Sequence, residues 1–79
     1  MHKINTINIS NNTLYVDSEL GEFYYNIKEL SNLLANASDI QLSQYTISPS
    51  KYGIHWQLLD EDISIQALLK ESLKEKSIS

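Results

Sequence analysis

Tyr52-Gly53-Ile54-His55-Trp56-Gln57-Leu58-Leu59-Asp60-Glu61-Asp62-Ile63-Ser64 holds the only Trp, one of two His, one of two Gly and three of the ten carboxylates of this 79-residue chain. Folding alone does not require such a density of special residues in a surface segment. Just before it, Pro49-Ser50-Lys51-Tyr52-Gly53 reads as a turn, in which Pro fixes φ and Gly53 frees it. Ile54-His55-Trp56 is a short strand expected to pair with the strands upstream, with His55 on the face opposite Ile54 and Trp56. Leu58-Leu59 leads into an acidic loop, Asp60-Glu61-Asp62, and Ser64 is an N-cap for a final helix. Ile65, Leu68, Leu69 and Leu73 form the apolar stripe of that helix, with Lys70, Glu71, Lys74 and Glu75 on its wet face. The tail 76–79 should fray.

Upstream, the apolar period is two. Lys3 to Ile9, Thr13 to Asp17 and Glu22 to Tyr25 read as strands, with Ile7, Ile9, Leu14, Val16, Phe23 and Tyr25 as inward-facing residues. Asn11-Asn12 and Ser18-Glu19-Leu20-Gly21 are the turns, Gly21 at the position that needs positive φ. Three short strands joined by tight turns make an antiparallel meander. The period then changes. Asn26 caps a helix with Glu29 three places on, and Ile27, Leu30, Leu33 and Leu34 form its stripe. Asn36 breaks it, and Ser38 with Gln41 caps a second short helix that turns Ile40 and Tyr45 inward. Thr46-Ile47-Ser48 is a brief extended piece. Residues 1–79 therefore read as a single α+β domain: a three-stranded antiparallel meander plus one short extra strand, packed against two or three helices.

Composition narrows the function classes. A chain this short buries only about 60–65% of its unfolded surface, so its stability margin is small. Cys is absent, which excludes disulfides and thiolate zinc sites and fits a reducing cytoplasm. With His2 and His55 as the only imidazoles, neither a metal nor a cofactor is expected, and a partner protein is the remaining support. No apolar run approaches the roughly 20 residues of a membrane span. Net charge is −4, and all six cations are Lys. Without Arg, and without a basic surface, direct nucleic-acid binding is not expected. An acidic body suits a basic protein partner, because opposite potentials steer encounter.

At Tyr52-Gly53-Ile54-His55-Trp56 and Asp60-Glu61-Asp62-Ile63-Ser64 the chain resembles the bacterial DUF 2442 family, whose members commonly show Gly-Ile-His-Trp-Pro, two further residues, then Asp-Glu-Asp-Ile-Ser. Asn36-Ala37-Ser38, Gln41 and Tyr45 resemble an upstream block of the same family, so the likeness covers roughly residues 3 to 70. Three positions depart from the pattern: Gln57 and Asp39 stand where the family has Pro, and Leu42 where it often has Arg. The lost prolines should loosen both turns by a few tenths to about 1 kcal/mol each. The resemblance implies a small α+β fold like the N-terminal half of proteins that carry a helix-turn-helix domain behind it. It also implies an antitoxin-like role, since members are often encoded beside DUF 4160-type genes in what look like toxin–antitoxin pairs.

Each special residue has two or more readings. His55 is a hydrogen-bonding structural residue, a partner contact, or a general base or metal ligand, though Ser48, Ser50 and Ser64, the serines near it in sequence, sit in turn or cap contexts. Trp56 is core or an interface anchor. Asp60, Glu61 and Asp62 favour the last helix through its dipole, face a basic partner, or mimic half of a calcium loop whose sixth place holds Ile65 instead of Gly. Tyr15 and Tyr24 lie opposite the expected core, as an exposed aromatic patch or under a helix. The leading expectation is a non-catalytic protein-binding module that occludes a small basic toxin encoded nearby. Its expected contacts are Tyr52, His55, Trp56, Asp60, Glu61 and Asp62. An accessory or inhibitory protein of a nucleic-acid machine is the alternative. An enzyme built on His55 ranks last, because it requires a pocket joining His55 to a carboxylate. A sheet edge also leaves a homodimer open.

Overall fold

Two asparagines in the left-handed conformation, Asn11 (φ 51°) and Asn12 (φ 62°), reverse the chain between β1 (Ile4–Ser10) and β2 (Thr13–Ser18). Positive φ at both corners of a two-residue turn matches the right-handed twist of the flanking strands. The next reversal uses Gly21 (φ 117°), the first residue of β3 (Gly21–Asn26). Ser18 braces it: the buried hydroxyl donates to the Gly21 carbonyl and accepts from the Leu20 N–H, both at 3.1 Å. The computed structural model describes residues 2–77 and confirms the meander, a sheet in the order β1-β2-β3.

Register places Ile9 beside Leu14 and Tyr25, and Ile7 beside Val16 and Phe23. One face of the sheet is therefore apolar, and Leu14 and Val16 are fully buried. Strict alternation would send Ile4 to the opposite, wet face with Thr6 and Asn8. A bulge between Ile4 and Thr6 inserts one residue, so Ile4 pairs with Ser18 and is buried.

The expected continuous helix after Asn26 is broken in two. Asn26 caps only a 3₁₀ turn (Ile27–Glu29), accepting from the Lys28 N–H at 3.0 Å. Ser31, fully extended, then caps a separate α1 (Asn32–Ala35) through the Leu34 N–H at 3.2 Å. A hydroxyl that can satisfy an N-terminal donor restarts the helix, and the restart breaks the stripe. Ile27 and Leu34 stay buried, while Leu33 is 51% exposed. Ser38 and Gln41 form the full reciprocal capping box of α2 (Asp39–Ser43). Its inward residue is Leu42 and not Ile40, which is 72% exposed. At 3.6 residues per turn the two side chains lie about 200° apart, so only one can face the core. Tyr45 does turn inward, half-buried, with its ring centroid 6.2 Å from that of Trp56.

The second half of the chain corrects the expectation of one extra strand on the meander. β4 (Tyr45–Ile47), β5 (Gly53–Trp56) and β6 (Glu61–Ser64) form their own antiparallel sheet, in the order β4-β5-β6. The acidic segment is thus largely a strand, and the turn before it closes with Asp60 at φ 50°. The separation has a physical basis: Tyr45, Ile47, Ile54, Trp56 and Ile63 give this sheet an apolar face of its own. Both apolar faces, with Ile65 and Leu69 of α3 (Ile65–Ser77), contribute to one core cluster. The Ser64 hydroxyl caps α3 through the Ala67 N–H at 3.2 Å, as expected. Of the tail expected to fray, 76 and 77 are helical here, and 78–79 lie outside the described residues. Gln66 clamps the main chain of His2 by two bonds of 2.9 and 2.8 Å, and the Tyr25 and Ser72 hydroxyls meet at 2.8 Å. In the loop before β5 the positive φ falls on Lys51 (63°) instead of Gly53, and the Lys51 ammonium donates to the carbonyl of bulge residue Asn5 at 2.8 Å.

Candidate functional site

Because side chains alternate along β5, the outer face of the second sheet carries what the core does not take. Its rows are Thr46, His55 and Asp62, then Gly53 and Ser64. With Tyr52 as a wall and Ser48 at one end, these residues line an open groove of about 330 Å³. Cross-strand neighbours His55 and Asp62 meet at 2.7 Å, Nδ1 to Oδ1. The carboxylate acts as acceptor, which fixes a proton on Nδ1 and leaves Nε2 as an acceptor in the neutral ring. Asp62 is 80% exposed and His55 39%, so the pair is wet and contributes at most about 1 kcal/mol to stability.

A pocket joining His55 to a carboxylate therefore exists, as the enzyme reading requires. The neighbouring hydroxyls, however, have structural duties. Ser48 Oγ accepts from the N–H groups of Tyr52 and Gly53, both at 3.1 Å. Thr46 Oγ1 accepts from the Gln57 amide, and Ser64 Oγ caps α3. Each of these hydroxyls keeps its own proton while accepting, but among the described residues the His55 ring bonds to the Asp62 carboxylate and to none of them.

The expected contact residues separate into distinct environments. Tyr52, His55 and Asp62 come together at the groove, and exposed Asp60 sits in the turn before β6. Glu61 does not join them: it pairs with Trp56 on the other face, half-buried, and its Oε1 accepts from the Asp62 N–H at 3.2 Å. Trp56 has no exposed surface, and its indole N–H donates to the Leu42 carbonyl at 3.1 Å. The core reading of Trp56 is the one observed, and its burial takes it out of reach of a partner's side chains. The calcium-loop reading also fails on geometry, because β6 ends at Ser64 and Glu71, at the twelfth place counted from Asp60, stands on α3. Among the described residues no cluster of three metal-ligating side chains occurs. Thr46, Ser48 and Ser64 also line the groove; the β4-β5-β6 register sets Thr46 against His55 and Ser64 against Gly53, a placement that no local sequence signal reports.

The family model for proteins of unknown function designated DUF2442 matches residues 7–74. The chain belongs to the DUF2442 family. A crystal structure of a protein of unknown function from Rhodospirillum rubrum is similar, at 30% identity and a TM-score of 0.65, the match covering 90% of this chain and 88% of that one. No curated protein matches. Against the family pattern, Gln57 is more than a missing Pro. Its N–H donates to the Gln44 carbonyl at 3.3 Å and its side chain to the Thr46 hydroxyl, bonds that a Pro cannot make. Asp39 opens α2, where its charge suits the helix dipole. Leu42, at the position where the family often has Arg, is 3% exposed in the core.

Proposed function

We propose that this DUF2442 chain is a non-catalytic, cytoplasmic protein-binding module, the antitoxin-like partner that occludes the surface of a small basic protein encoded nearby. The observation that supports it most is the outward-facing groove of the second sheet, where Tyr52, His55 and exposed Asp62 converge, with Asp60 close by in sequence, on a chain of net charge −4. An aromatic wall beside carboxylates is the composition that protein interfaces favour for anchoring and steering a cationic partner. The mechanism needs no bond chemistry: docking buries the partner's working surface. Co-expression with the neighbouring gene product, followed by affinity capture, tests it. Association should be retained by the parent chain and lost in Asp60→Lys/Asp62→Lys; failure of the parent to capture any encoded neighbour would sink the reading.

A further inference from the structure

The first sheet also has a bare face. Opposite the buried row, the register sets Asn8, Tyr15 and Tyr24 side by side, and Thr6, Asp17 and Glu22 beside them. Tyr24 is 66% exposed, and its ring centroid lies 5.2 Å from that of Tyr15, with the planes tilted by 47°. The Tyr15 hydroxyl donates to Glu22 Oε1 at 2.8 Å, which locks the ring beside the carboxylate. Among the described residues no Lys forms a salt bridge with Asp17 or Glu22. Aromatic faces flanked by carboxylates attract guanidinium and ammonium groups twice, through the ring quadrupole and through charge.

We propose that this face is a second docking surface, occupied by arginine and lysine side chains of a partner protein, with Tyr15 and Tyr24 as the stacking platform and Asp17 and Glu22 as counter-charges. It rests on the reading that the chain binds a basic protein. A second copy of the chain is the poorer occupant. A two-fold contact would gather the Asp17 and Glu22 carboxylates of both copies into one interface, and like charges brought together oppose association. The phenol of Tyr15 is pushed up to about 12, first by its hydrogen bond to Glu22, then by burial, and after these by the nearby Glu22 and Asp17 charges.

The test is titration of the ¹⁵N-labelled chain with an octa-arginine peptide and, separately, an octa-lysine peptide, read by amide shifts. Octa-arginine should move the amides of Tyr15, Asp17, Glu22 and Tyr24. Tyr24→Ser, which keeps every charge, should weaken that binding about two- to five-fold. Octa-lysine should bind more weakly and be less affected. Shifts confined to the His55 and Asp62 face would overturn this surface and leave the proposed function standing. Shifts on neither face would overturn both. Unchanged affinity in Tyr24→Ser would reduce the effect to bulk charge and overturn the docking surface.

Discussion

Replacing Trp56 with Phe separates a residue that holds the fold from one that touches a partner. The change removes the indole N–H and leaves the buried Leu42 carbonyl, its acceptor at 3.1 Å, without a donor. An orphaned buried acceptor costs about 1–3 kcal/mol. The change also removes roughly three ring atoms from a side chain with no exposed surface, worth about 1–2 kcal/mol of lost transfer and cavity energy. Together the loss is about 2–5 kcal/mol, a large share of the stability of so small a domain. At a urea dependence of about 1 kcal/mol per molar, the midpoint should fall by about 2–5 M. Far-UV circular dichroism is the appropriate readout, because the substitution removes the Trp reporter. Tyr24→Ser on the wet face is the control and should cost no more than about 1 kcal/mol, the worth of its cross-strand contact with Tyr15. An anchor at an interface gives the opposite pattern, with stability kept and association lost. A Trp56→Phe midpoint within about 0.5 M of the parent refutes the argument from burial and the Leu42 bond.

Three further outcomes are expected. In a spectrophotometric titration one Tyr should ionise near pH 12, and Glu22→Gln should bring it back toward 10. The sign follows: the raised folded value stabilises the native state below pH 10, and that contribution is lost as pH climbs through 12. Gly21→Ala should destabilise by about 1 kcal/mol or more in urea denaturation, although nothing lies within 4 Å of the added Cβ, because φ 117° strains any L side chain. A loss under a few tenths would show that the turn relaxes freely. His55→Ala should change stability by no more than about 1 kcal/mol, since the pair with Asp62 is wet, while weakening capture of the encoded partner. Equal capture by parent and variant would remove the dyad from the interface.

The signals that were legible in the sequence are those whose causes are local. Asn11, Asn12 and Gly21 supply the positive φ that their turns need, and Ser38, Gln41 and Ser64 satisfy nearby backbone donors with their own side chains, so spacing alone reveals them. Alternation likewise assigned Leu14 and Val16 to the core and His55 to the face opposite Trp56, because pleating has a fixed period of two. What only the tertiary structure decided is non-local. Whether Ile54 to Trp56 joins the meander or builds a second sheet depends on which edge is open, and no window of sequence contains that edge. The bulge that turns Ile4 inward, the exposure of Ile40 and Leu33, and the division of Glu61 from Asp62 between two faces likewise depend on partners distant along the chain. Residue types set the local conformations; the pairing of distant strands set which side chains share a surface, because that pairing is selected by the total apolar area it buries.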